Sequence, residues 1–210
     1  MLLAFDTATS AVTVALHDGD RLLSEHTVVD ARRHGELLAP GIARVLADAG
    51  VSASDLTAIA VGVGPGPFTG LRVRLVTARA MADALAIPVH GVCTLDIVAA
   101  EVVCETPFLV ATDARRREIY WATYSETGVR SAGPNVGRAA DLAWSGPAFG
   151  AGALMYRDAF SAVHEPQFPS AAVLAAMVAT KRATVLRPDP LYLRRPDAVE
   201  PAARKAVMPA

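Results

Sequence analysis

LLAFDTATSAVTVALH, residues 2–17, and FLVATDARRREIYWATY, residues 108–124, are the two stretches that decide the fold. Laid over each other at one constant offset, they place Asp6 on Asp113, Val12 on Ile119 and Val14 on Trp121. Each copy is an apolar strand ending in Asp, a tight polar turn, and a returning strand with alternating pattern. Such an echo implies a duplicated lobe, a pair of αβ domains each opening with a hairpin whose turn faces a shared cleft. A chance likeness between two short stretches is the competing reading.

Outward from the first copy, residues 2–6, 11–17 and 21–29 read as strands, and Asp18-Gly19-Asp20 is a hairpin turn signal. A helix is expected over 34–49, with Leu38, Ile42, Val45, Leu46 and Ala49 at helical spacing, Gly50 as its stop and a kink at Pro40. TAIAVGV, residues 57–63, is a buried strand that feeds GPGPFTG and a helix over 71–86. A strand over 88–92 and a helix over 94–104 follow. Alternating strands and helices imply parallel neighbours covered on both faces. The expected fold is therefore α/β with two lobes, each a mixed sheet with flanking helices. Residues 1–104 form the N-terminal lobe and 105–197 a smaller, degenerate C-terminal lobe. In the latter, Gly, Pro and Ala dominate after residue 125, with helices only near 151–162 and 170–181. The Pro/Ala-rich stretch 198–210 is expected to be a disordered tail.

An apolar fraction of 52% with 20% charge is globular composition. With 20 basic and 21 acidic side chains the net charge is −1, so no global field recruits nucleic acid or an acidic membrane. Nothing reads as a bilayer span, and the opening MLLAFD lacks the basic flank of a signal peptide. Cys93 and Cys104 lie too far apart for a CxxC motif and read as reduced thiols of a cytoplasmic protein.

GVGPGPFTGLR, residues 62–72, lies between a strand and a helix. Gly64, Gly66 and the helix N-terminus, with Thr69 as a cap, could hold a phosphate, although no Lys-Ser or Lys-Thr makes it a Walker loop. The plainer reading is a rigid turn set by Pro65 and Pro67. Arg72 and Arg74, in what reads as the first helical turn, oppose the helix dipole and so point to an anion or RNA contact. Asp6, Thr7 and Asp113, at strand ends, are candidates for metal-bound phosphate, against an Asx-turn role. The five histidines show no metal-ligand spacing, and no metal site is expected.

Together FDTATSAVTVAL, ARRHGELLAP, VGVGPGPFTGLR, IPVHGVCTLD, DARRREIYW and PLYLR resemble the bacterial TsaB family, formerly YeaZ. That resemblance implies the two-lobed fold of the actin, Hsp70 and sugar kinase superfamily. It implies a catalytically degenerate relative of TsaD that works with a TsaD-like subunit and a TsaE-like ATPase. Their joint product is threonylcarbamoyladenosine beside the tRNA anticodon, and the TsaB-like member forms a homodimer when alone. No cofactor is then expected in the isolated chain; ATP and metal fall to the partners, and tRNA is met indirectly. Two positions depart from the family pattern: Pro67 stands where Ser is usual and Arg74 where Gly is usual. On a helical wheel Arg72, Arg79 and Asp83 form a polar stripe, with Arg79 and Asp83 set to pair at i, i+4. Val73, Val76, Ala80 and Ala84 form a second, small-residue face, matched by Ala39, Ala43 and Ala47 on the preceding helix. The resemblance implies that these seven residues are the partner interface; burial in the chain's own core is the alternative. Two other functions stay open: an independent ATPase or kinase of the superfamily, and a peptidase.

Overall fold

The computed structural model describes residues 1–194. The chain runs β1 (Leu2–Asp6), β2 (Ala11–His17), β3 (Leu22–Val29), α1 (His34–Asp48), β4 (Ala58–Gly64), α2 (Phe68–Leu85), β5 (Val89–Cys93) and α3 (Thr94–Ala99). There follow β6 (Phe108–Asp113), β7 (Ile119–Tyr124), β8 (Arg130–Gly137), β9 (Pro147–Phe149), α4 (Ala151–Met155), β10 (Ala162–His164) and α5 (Ala171–Ala179). The first sheet has the order β3-β2-β1-β4-β5 and the second β10-β9-β6-β7-β8. Read from the other edge, the second order is the first one repeated. Pairings repeat too: β1–β2 and β2–β3 are antiparallel and β1–β4 and β4–β5 parallel, as are their counterparts β6–β7, β7–β8, β6–β9 and β9–β10. The echo of the two opening hairpins is thus a duplication of whole lobes, in the architecture expected from the family resemblance.

In the first sheet successive residues face opposite layers. Leu3, Phe5, Val12, Val14 and Leu16 pack under α1 and α2 with Leu38, Ile42, Val45 and Leu75. On the other face Leu2, Ala4, Ala15 and Ala60 meet Ala171, Leu174, Ala175 and Met177 of α5. Both faces are covered, so β2 is buried along its whole length, and each large side chain removed from water contributes about 1.5–3 kcal/mol. The alanines on the second face let α5 lie close. α5 is capped by Ser170, whose Oγ accepts the Val173 amide at 3.2 Å. Although it follows the second lobe in sequence, it packs on the first sheet.

α1 runs through Pro40 and stops as expected at Gly50, whose φ of +64° allows the closing turn. Val51 N–H reaches Leu46 C=O at 3.0 Å and Gly50 N–H reaches Ala47 C=O at 3.0 Å, satisfying the last carbonyls. α2 begins at Phe68, three residues earlier than the sequence suggested, while α3 ends at Ala99 and α4 at Met155, short of 104 and 162. β8, β9 and β10 correct the reading of 125–170 as helix and irregular chain. The lobes share one apolar cluster, in which Cys93, Leu95 and Val98 meet Phe108, Val110, Tyr124 and Phe149. The rings of Phe108 and Tyr124 stack there at 5.4 Å. The tail expected from residue 198 lies outside the described residues. Among those described, no helix is long and apolar enough to cross a membrane.

Candidate functional site

A cleft of about 730 Å³ separates the two hairpin turns, walled by Thr7, Thr9, His34, Thr69, Asp113 and Arg115 among others. Of the residues proposed for phosphate, Thr7, Thr69 and Asp113 line it; Asp6, Gly64 and Gly66 do not.

Asp6 is fully buried. Its Oδ1 accepts the Ala8 amide, an Asx turn, and its Oδ2 accepts the Thr94 hydroxyl at 2.7 Å. Thr94 Oγ1 in turn accepts the Gly64 amide at 3.2 Å, so Asp6 fixes the turn and the glycine loop from inside. Thr7 donates its hydroxyl to the Gly70 carbonyl at 2.8 Å. A Cβ on Gly70 would lie 2.3 Å from the Thr7 carbonyl oxygen, and one on Gly66 would lie 2.6 Å from that of Ala8. The hairpin turn fills the glycine loop, and close approach of backbone to backbone explains these glycines without a phosphate. Thr69 does not cap α2: Pro67 holds the N-cap position and no side chain caps it. Asp113 mirrors Asp6 in part, accepting the Arg115 amide at 2.7 Å, and it also pairs with the Arg115 guanidinium at 3.1 Å. Arg115, Arg116 and Arg117 all have positive φ, 59°, 56° and 62°, a left-handed run that costs roughly 1–2 kcal/mol per residue.

Arg74 is where structure and expectation part. It is fully buried and so is no surface contact for RNA or any other external anion. Its Nε donates to the Gly62 carbonyl, while Nη1 and Nη2 have no hydrogen-bond partner. Burial lowers its pKa, and Asp6 opposes that shift. Because α2 starts at Phe68, neither arginine lies in its first turn, and the dipole argument loses its force. Arg72 is exposed, with its guanidinium 3.8 Å from the Phe68 ring centroid. Phe68 in turn lies 5.4 Å from the Tyr192 ring. Arg79 does not pair with Asp83. It donates to the Pro188 carbonyl at 2.7 Å and to Asp189 at 2.5 Å.

The small-residue faces of α1 and α2 are open. Ala39, Ala43, Ala47, Ala80 and Ala84 are exposed, Val73 is half-buried, and Val76 is 64% exposed. Of the seven, only Val73 packs against the chain's own core. Among the described residues, no three His, Cys, Asp or Glu side chains gather as a metal site. His34 Nε2 instead lies 2.7 Å from the Thr9 carbonyl.

Residues 22–163 match the family model described as TsaD: tRNA N6-adenosine threonylcarbamoyltransferase. The tRNA threonylcarbamoyladenosine biosynthesis protein TsaB of Escherichia coli K12 is 38% identical over 133 residues, 61% of this chain and 57% of that protein. YeaZ from Pseudomonas aeruginosa superposes with a TM-score of 0.77 at 32% identity, covering 91% of this chain and 99% of that one. The chain belongs to the TsaB (YeaZ) family. A protein of Mycobacterium tuberculosis H37Rv is 48% identical over 204 residues, 94% of this chain and 93% of that one.

Within this TsaB-family framework, several residues were not singled out from sequence. Thr94 lies within IPVHGVCTLD, but nothing in that stretch singles it out. On α3, Asp96 accepts the Tyr124 hydroxyl at 2.8 Å and pairs with Arg130 at 3.5 Å, tying the two lobes together. Desolvation raises the Asp96 pKa, against the pull of Arg130 and Tyr124. Nothing local in the sequence marks these three as neighbours.

Proposed function

We propose that this chain is a non-catalytic, partner-binding subunit in the synthesis of threonylcarbamoyladenosine in tRNA. The observation that carries this reading is the open small-residue face of α1 and α2, in a chain whose buried Asp6 and glycine loop are spent on its own folding. Alanines and valines on two adjacent helices let a partner's helices approach closely, and they present no charge that docking would strand. The family assignment supports a TsaD-like catalytic subunit as occupant, with a TsaE-like ATPase joining and the same face closing a homodimer when the chain is alone. ATP, metal and the transfer chemistry belong to the partners in this reading. tRNA is met through them, and the setting is the cytoplasm.

Replacing Ala43 and Ala80 together by Glu tests it. Both positions are exposed in this chain, so the variant folds with the wild-type circular dichroism spectrum. In the complex the two charges would be buried without partners, at several kcal/mol. The expected result is a folded monomer that no longer co-elutes with the TsaD-like subunit. Wild-type co-elution would place the interface elsewhere, and undiminished threonylcarbamoyladenosine in tRNA from a deletion strain would overturn the function itself.

The cleft supports a second reading, an independent ATPase or kinase, because Thr69 and Asp113 line a space of nucleotide size. Tight calorimetric binding of ATP with magnesium by the isolated chain, lost in Asp113→Ala, would favour it.

A further inference from the structure

After α5 the chain crosses the molecule as a strap. Leu186 exchanges both backbone hydrogen bonds with Gly91 on β5, at 3.0 and 2.8 Å. Pro188 and Asp189 hold Arg79 on the exposed side of α2, and Leu191 N–H bonds to the Val63 carbonyl at 2.9 Å. Tyr192 lies against Phe68 at the start of α2. Arg194 then reaches the second lobe, donating to the Ala114 carbonyl at 3.0 Å and pairing with Glu118.

Those last two contacts fall on the turn that holds Arg115, Arg116 and Arg117 in left-handed conformations. Such a turn persists only where its surroundings over-determine it. Its own backbone bonds, Ala114 N–H to Glu118 C=O and Glu118 N–H to Arg115 C=O, are both 3.0 Å long. Arg115 from this turn also lines the cleft.

We infer that residues 184–194 couple the exposed side of α2 to the turn at the cleft: loss of the Arg79 anchor slackens the strap, and the Arg194 clamp on residues 114–118 loosens with it. The route is one continuous piece of backbone, held by Arg79 at Pro188 and Asp189, seated by Leu191 against the first-lobe core and the cluster shared by the lobes, and fixed at its far end by its own Arg194.

Hydrogen–deuterium exchange on the isolated full chain tests the coupling whatever partner covers α2. Three variants are compared with the wild type: Arg79→Ala, Arg194→Ala and, as a control on the same helix, Asp83→Ala. An exposed ion pair such as Arg79–Asp189 biases a local opening equilibrium modestly, and the expected result for Arg79→Ala is about three- to fivefold faster exchange at the Ala114 and Glu118 amides. Arg194→Ala accelerates the same two amides at least as much, and Asp83→Ala leaves them unchanged. Acceleration confined to residues 186–191 in Arg79→Ala would overturn the inference. So would acceleration spread equally over the β1 amides, which would report lost global stability rather than a strap.

Discussion

Arg74 and Asp6 share a buried chamber, and the strength of their coupling can be worked out before it is measured. Neither terminal nitrogen of Arg74 has a hydrogen-bond partner, so the charges do not touch. For unit charges at about 4 Å and an effective dielectric constant of about 20, Coulomb's law gives about 4 kcal/mol, which is therefore a ceiling. Replacing Arg74 with Met removes that attraction and the bond to the Gly62 carbonyl. It also removes two unsatisfied nitrogens, each of which costs about 1–3 kcal/mol. These effects oppose each other, so Arg74→Met alone costs less than Asp6→Asn. Asp6→Asn has no such compensation. It leaves the guanidinium without its counter-charge and weakens the bonds from Ala8 and Thr94, a loss of about 3–5 kcal/mol. In the Arg74→Met background the same Asp6→Asn change should cost about 2 kcal/mol less. Urea unfolding of the wild type, both single variants and the double variant at neutral pH closes the cycle. If Asp6→Asn costs the same in both backgrounds within about 0.5 kcal/mol, Arg74 is not the internal counter-charge of Asp6 and the reasoning fails.

Gly70→Ala places a methyl 2.3 Å from the Thr7 carbonyl oxygen. It should lower stability by about 2–3 kcal/mol through overpacking; an unchanged urea midpoint would mean that the glycine loop is not packed on the hairpin turn. Ala86, the C-cap of α2, has a left-handed φ of 54°. Ala86→Gly should therefore raise stability by about 0.5–1 kcal/mol, seen as a higher urea midpoint at constant m-value, and a lowered midpoint would contradict that conformation. The Cys93 thiol is buried and pushed up to about 12 by desolvation, with Asp96 adding to the shift, whereas Cys104 is half-buried. Iodoacetamide at about pH 8 should thus modify only Cys104 in the folded chain. Rapid labelling of both, read by mass spectrometry, would show that the lobes part readily at their shared cluster.

How far the sequence carries depends on whether a residue's partner is local. The opening hairpins were legible because alternation, a turn-forming Asp and a returning strand all occur within a few positions. β8 was not: RSAGPNVG contains Gly and Pro and has no fully buried residue, so it lacks the apolar period that marks a strand. β9 and β10, three residues each, are too short to show any period. The helix of α5 was legible, but being apolar on all sides it has no stripe to name the sheet it covers. Arg74 shows two local rules in conflict. With Leu71, Leu75, Ala78 and Ala82 it occupies the buried stripe of α2, yet its charge argues for the surface. Spacing wins because the long side chain reaches the Gly62 carbonyl and the field of Asp6, neither of which is near it in sequence. Arg79 shows the same limit from the opposite side. Helical spacing offered it Asp83, a pair worth only a few tenths of a kcal/mol, while Asp189 with the Pro188 carbonyl offers two acceptors at once. A long-range contact with two good acceptors outcompetes a local one with a single carboxylate, and the strap that carries those acceptors is placed by backbone pairing at Gly91 and Val63.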